Sequence, residues 1–390
     1  MNTHPILVAG AGIGALTFAL AASRLGIETI LIERRTKIEE IGAGIQLSPN
    51  ASRILIQLGL GPALSRLSAE PERLHVRDGL TGTTLSSMPL GNAMREAYGA
   101  PYLTLHRADL QTILLDAIRG AANVRLAFGR RVTQFENTSS HLIVSTETSS
   151  GIETYHGSAL VGADGLWSII ATCIGDQQKP RFSNNTAWRG TISRVDWPTA
   201  LPASETGLWL GPDAHIVHYP IRGGALMNIV AITADKTGEE GWNRPGDPAL
   251  LQKRFEAWSP SVRNALSSVP EWQIWSLYDT PPRPHWSKGN VTLLGDAAHP
   301  VLPFLAQGAA LAIEDAAILV REIIRSPHDL GRAFSAYETV RKPRAARVQA
   351  AAHQNASTFH ATWPLSTARN FIMRRTDLIK RYAWLYGWHP

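Results

Sequence analysis

The chain has 390 residues, enough for two or three domains each with its own core, and its 44% apolar and 18% charged residues describe an ordinary globular composition. A formal charge of +6, spread along the chain, gives no basic stripe for nucleic acid, although it is compatible with steering an anionic small molecule. The single cysteine, Cys173, excludes an internal disulfide and a thiolate metal site; no metal is expected, and the setting expected is reducing and cytoplasmic.

The opening run, ILVAGAGIGALTFALAASRLGIETILI, is apolar enough to suggest a membrane span or signal peptide. It lacks a basic leading region, however, and Arg24 and Glu28 interrupt it, so no stable membrane association is expected. It reads instead as strand PILVAG, a glycine turn, a helix over about Ile13 to Leu25, and strand ETILIE, a βαβ unit. SPNASRILIQLGL predicts a helix with Ser48 as N-cap and Pro49 at its first position, ended by Gly59 and Gly61. Residues 76–104 carry short polar runs and no long helix. HRADLQTILLDAIRG returns to helix, with Leu110, Leu114 and Ile118 on one face. VRLAFGRRVTQFE and HLIVSTET alternate like paired strands, and ALVGADG is a buried strand ending in a turn. From about 181 to 275 tryptophans and prolines dominate, and HIVHYPI and ALMNIVAIT predict a second sheet. VTLLGD resumes a buried strand ahead of a helix to about Arg325, and the last helical region is expected to break at Pro343. The pattern predicts an α/β fold: a Rossmann-like domain from 1–75, 105–180 and 276–350, an inserted β-rich domain from 76–104 and 181–275, and a C-terminal helical segment, 351–390.

Three strand-end turns carry chemistry. In Gly10-Ala-Gly12-Ile-Gly14-Ala15, Gly10 permits the tight turn, Gly12 lets the backbone approach a pyrophosphate, and Ala15 takes the close helix-packing position. The helix that follows offers free N–H groups to phosphates. Glu33, 23 residues after Gly10, ends the next strand where an acid reaches ribose hydroxyls, and it disfavours a 2′-phosphate in the same groove. GADG at 162–165 and Gly295-Asp296, each alone, also fit ordinary turns.

In this order and at these separations the segments resemble the class A FAD-dependent aromatic hydroxylases, most closely the salicylate-hydroxylase-like branch. The resemblance covers nearly the whole chain, through IGAGIQLSPNA, LHRADLQ, GADGLWS, GDAAHPVLPFLAQGAALAIEDAA and YETVRKPRAARVQ with the closing WLYGW. It implies FAD in the Rossmann groove, with Glu33 on the ribose and Arg34 beside it. Arg107 would lie near the phosphates and ribityl chain, and Val132 would touch the adenine through its backbone. Asp164 would belong to the cofactor site, and Gly295 and Asp296 would meet ribityl or ribose hydroxyls. Gly308, Ala309 and Ala310 would aim helix N–H groups at the flavin's pyrimidine edge, where reduced flavin is negative; such an N-terminus contributes roughly 0.3–1 kcal/mol. Small side chains there permit close approach, and the redox chemistry belongs to the flavin. Two positions depart from the family: Ala171 stands where an Arg often follows the Ser168 turn, which bears on how a nicotinamide cofactor docks, and Ala306 stands where many relatives have Gly.

The resemblance also implies a reaction. NADH or NADPH, visiting transiently because there is only one dinucleotide groove, reduces FAD; reduced FAD adds O2 at C4a, and the hydroperoxide passes one oxygen to an electron-rich ring. The expected substrate is a small phenolic or hydroxylated heteroaromatic acid. A phenol is only about 0.1% ionised at neutral pH, so ionising it requires roughly 4 kcal/mol, which a positioned base could supply. The candidate catalytic residues are His215 and Tyr219, which the resemblance places on the substrate-domain sheet facing the flavin; residues four apart on a strand share a face, while His218 points the other way. Gln46, His299 and Pro303 are candidate substrate contacts. The aromatic tail RYAWLYGWHP is expected to pack against the FAD domain or a second copy of the chain in a homodimer. The readings left open are a flavin-dependent reductase that inserts no oxygen, a monooxygenase of a larger polycyclic substrate, and a non-catalytic flavin sensor.

Overall fold

The computed structural model describes residues 4–37, 44–138, 141–198, 201–238 and 244–390. Ile6–Ala9 is buried along its whole length, because helices cover one face of the sheet it centres and the antiparallel strands Arg131–Asn137, Leu142–Thr148 and Gly151–Gly157 lie against the other, and this is why it reads as an unbroken apolar run. That six-stranded sheet runs Ser287–Lys288, Val291–Leu293, Ala159–Gly162, Ile6–Ala9, Thr29–Glu33, Val124–Phe128, parallel except for the first pair. Val124–Phe128 thus joins the parallel sheet, while Arg131–Asn137 pairs with Leu142–Thr148, so the two halves of VRLAFGRRVTQFE separate at Gly129. The helix Ile13–Ser23 packs between Arg107–Arg119 and Gly308–Arg325.

The second sheet has eight strands and takes in a hairpin from far earlier in the chain: Arg73–Asp78 lies parallel to Glu205–Gly211 and pairs with Thr84–Pro89. Its two faces differ because successive residues on a strand alternate sides. On one face Trp188, Trp209, Ile216 and Ile229 pack under the helices Pro248–Arg254 and Pro260–Ser267, through Leu251, Phe255 and Val262. On the other, Val76, Leu210 and Ile232 meet Leu302 and Phe304, from the loop ahead of the Gly308–Arg325 helix.

The last long helix, Leu330–Phe359, runs unbroken through Pro343, contrary to the break expected there. An interior proline costs about 3 kcal/mol. Burying Leu330, Phe334, Tyr337, Val348 and Phe359 offsets that, at roughly 1.5–3 kcal/mol for each large apolar side chain. The expected boundary at residue 350 falls inside this helix, and the one at 76 falls inside the strand Arg73–Asp78. No helix among the described residues is long and apolar enough to cross a membrane.

Candidate active site

The glycine turn forms a cradle. Gly10 has φ +107°, and a Cβ there would lie 2.5 Å from the Ala163 carbonyl oxygen. A Cβ on Gly12 would meet nothing within 4 Å, so the turn presents open backbone where a pyrophosphate would approach. The close packing expected at Ala15 is met at Gly14, whose Cβ would lie 2.5 Å from Leu294 Cδ2; Ala15 is simply buried. Glu33 accepts from Ala11 N and from Arg35 N, both at 2.9 Å, which ties the acid to the turn. Arg34 beside it is exposed. Arg130 N donates to the Glu33 carbonyl at 2.9 Å, bringing the strand of Val132 alongside the same groove.

The other turns divide. Both Asp164 oxygens are used inside the protein: Oδ1 accepts from Ser168 Oγ at 2.6 Å and Oδ2 from Ile169 N at 2.8 Å, starting the short helix Ile169–Cys173. Asp296 follows Gly295 (φ +64°) at the mouth of the cleft, and a Cβ on Gly308 would lie 3.9 Å from its Oδ1. Asp296 keeps solvent exposure, and the protein packed around it raises its carboxyl while the Arg107 guanidinium opposes this. The Gly308–Arg325 helix begins without a side-chain cap and without an acid in its first turn, so its leading N–H groups, at Gly308, Ala309 and Ala310, keep their capacity for an anionic acceptor. The open turn at Gly12, the acid at Glu33 and this uncapped N-terminus fit a flavin dinucleotide: phosphates at the first, ribose at the second, and the flavin's electron-rich edge at the third.

The Gln307 side chain is not free to react. Its Nε2 donates to Ser48 Oγ at 2.9 Å and its Oε1 accepts from Asn50 Nδ2 at 3.1 Å. Behind it lies a buried ionic network. Arg341 reaches Glu314 and Asp315, both at 2.7 Å, and Arg344 reaches Glu314 at 2.6 Å. His299 belongs to this network: its Nε2 lies 2.6 Å from Asp315 Oδ2 and its ring lies tilted against Trp286, centroids 5.0 Å apart. Burial would raise the Asp315 carboxyl, but His299 and Arg341 outweigh it and hold it at about 2. The structure thus gives His299 a place in the support of the cofactor helix.

His215 and Tyr219 lie on the sheet face that meets the Leu302–Leu305 loop. Across the sheet His215 aligns with Ile232 and Leu210, and Tyr219 with Asn228. His215 Nδ1 is 2.8 Å from His360 Nε2, and the rings of Phe304 and Phe359 lie 5.2 and 5.3 Å from it. Burial, with His360 beside it, pushes the His215 imidazole well below its usual range, so it is neutral. Burial raises the Tyr219 hydroxyl, against the opposing pull of Arg189 and a hydrogen bond from Gln46, so it stays protonated. Gln46 Oε1 also accepts from Tyr102 at 2.6 Å. Pro303 opens the turn whose Phe304 faces His215.

Three residues here carried no sequence signal: Tyr102, Arg189 and His360. Arg189 stacks over Trp275, 5.0 Å from the ring centroid, and its buried Nε has no partner. The alternation that singled out His215 also places Arg189 inward, through its register with Val230. Nothing near residue 215 could have announced a partner 145 residues away.

The family model described as "FAD binding domain" matches residues 3–352. The chain is 37% identical over 391 residues to 3-hydroxybenzoate 6-hydroxylase 1 of Aquipseudomonas alcaligenes, covering 98% of this chain and 97% of that protein. It is 34% identical to 3-amino-4-hydroxybenzoate 2-monooxygenase PtnB3 of Streptomyces platensis, over 99% of this chain and 97% of that one. Among solved structures, a salicylate hydroxylase substrate complex shares the fold at TM-score 0.83 and 23% identity, over 100% of this chain and 96% of that one. The chain belongs to the FAD-dependent aromatic hydroxylases.

Proposed function

We propose that this enzyme hydroxylates a benzoate that already carries a ring hydroxyl, a 3-hydroxybenzoate or close analogue, using NAD(P)H and O2. The two curated relatives are named for hydroxybenzoate substrates, and the site supplies what such a ring needs. Bound FAD supplies the electrons and the activated oxygen; the chain supplies position, dryness and a proton acceptor.

The observation that carries the reading is the setting of His215, a neutral imidazole buried on the sheet face opposite the loop that leads into the cofactor helix. When Nδ1 donates to His360, Nε2 is left with a lone pair that can take the ring hydroxyl's proton and make the ring electron-rich. Tyr219, held protonated and accepting from Gln46, serves as a hydrogen-bond donor to an oxygen atom of the substrate, while Tyr102, whose own proton goes to Gln46, orients that amide. Val217 and Val230 form an apolar floor between them, and Phe304 and Leu302 the roof. The roof is pinned from the last long helix: Gln349 donates to the Pro300 carbonyl at 2.9 Å and Asn355 to the Phe304 carbonyl at 3.1 Å. Glu33, Arg34, Arg107, Val132 and Asp296 would hold the FAD, with Asp164 supporting the turn behind it.

The test is NADH and NADPH oxidation by the holoenzyme with a panel of hydroxybenzoates, hydroxypyridine carboxylates and non-phenolic benzoates. Oxidation stimulated by one hydroxybenzoate, with a product one oxygen richer, is expected. Stimulated oxidation with no oxygen in the product would replace the proposal with a reductase.

A further inference from the structure

We infer that His360 is the second ring of a two-histidine relay, carrying the substrate's hydroxyl proton from His215 out of the cleft and fixing the tautomer that His215 needs. The inference rests on His215 being the base.

The geometry is that of a wire. The bond joins His215 Nδ1 to His360 Nε2 at 2.8 Å, so the two remaining nitrogens, His215 Nε2 and His360 Nδ1, face opposite ends of the pair. His215 is 1% exposed and enclosed by Phe304 and Phe359, so it cannot discharge directly to water. His360 is partly exposed, at the C-terminal end of the Leu330–Phe359 helix. No carboxylate is bonded to either ring among the described residues, so the pair stores no proton in an ion pair.

The charges around it favour passage. The helix C-terminus attracts a positive charge to His360. Arg369, from the helix Leu365–Met373, opposes this; its guanidinium donates to the Phe359 carbonyl at 2.9 Å. Behind it Asp78, from the early hairpin, accepts from Asn370 at 2.8 Å. Burial, with Arg369 second, lowers His360 to about 4, so a proton arriving there is released at neutral pH. The steps balance. The phenol O–H breaks as His215 Nε2 gains the proton; the Nδ1 proton moves to His360 Nε2; the Nδ1 proton of His360 leaves to water.

The experiment follows the appearance of bound phenolate by stopped-flow ultraviolet absorbance when oxidised, FAD-loaded enzyme is mixed with 3-hydroxybenzoate without O2. In H360A the rate should fall on the order of 10- to 100-fold, and added imidazole should restore it. H360Q offers a carbonyl that still accepts from Nδ1 but cannot pass a proton on; it should stay slow at unchanged FAD content. A wild-type rate in H360Q would overturn the relay, as would a wild-type rate in H360A. If H360A loses FAD, H360Q decides. H215A separates the two readings: phenolate appearing in it at the wild-type rate would remove His215 as the base and the relay with it.

Discussion

His215 and His218 share one strand, Ala214–Ile221, and both are 1% exposed, yet the structure gives them opposite surroundings. His215 turns toward the cofactor domain and finds a polar partner in His360. His218 turns to the helix-covered face, where neither ring nitrogen has a partner and Gly207 across the strand makes room for the ring. A pleat decides between them, since the side-chain period is two and the residues are three apart. The glycine turn repeats the lesson: Gly12 faces open space and Gly14 faces Leu294 and Ala312. Residue type and burial therefore do not separate these residues, and the direction each one faces does.

The largest effect expected from this contrast is on turnover. H215A should lower product formation about 10²–10⁴-fold with FAD still bound, whereas H218L should leave turnover within about threefold. Equal losses in both, measured as hydroxylated product per NAD(P)H, would erase the contrast. Acid stability sharpens it from the other side. Burial, with Arg77 and His75 adding to it, holds His218 at about 3, below its ordinary 6.5. The unfolded chain binds the extra proton between those values, so stability is full above 6.5 and falls as the pH drops below it, by ~2 kcal/mol at pH 5. Denaturant melts of wild type and H218L near neutrality and at acid pH should show this loss shrinking in the variant.

The glycine pair comes next. G14A should cost about 1–3 kcal/mol of stability through overpacking against Leu294, with FAD affinity nearly kept. G12A should do the reverse, melting like wild type while binding FAD roughly tenfold more weakly, since its Cβ would occupy the phosphate approach. Thermal melts and flavin titration on the same samples decide it. The smallest effect is expected at Ala306, whose φ of +53° lies in the left-handed region. A306G should relieve up to about 1 kcal/mol of strain, net of glycine's greater chain entropy. A fall in melting temperature would show that the Ala306 methyl packs better than its backbone is strained.

Much of the cofactor cradle was legible because its signals are local. A glycine turn and an uncapped helix start are each written in a few neighbouring residues, and the acid follows the turn within one βαβ unit. The strand of His215 was legible for the same reason, as its alternation is visible in HIVHYPI. What escaped was long-range. The expected β-rich domain already grouped 76–104 with 181–275, but the parallel pairing of Arg73–Asp78 with Glu205–Gly211 was not legible, since an apolar pattern alone does not name a partner strand. His299 lies in a Pro-lined loop that reads as pocket, but Asp315 claims it because a buried carboxylate must be paired. Pro343 reads as a helix break, and packing of the helix's buried face overrides it.

The sequence by itself determined the phosphate cradle, the faces of the strands and the bare helix N-terminus, since glycine conformation, strand period and small side chains are properties of neighbouring residues. Tertiary structure alone decided which of the buried histidines meets a partner. The Leu330–Phe359 helix ends beside the His215 strand, and hydrogen bonding between groups 145 residues apart depends on packing that no local pattern encodes.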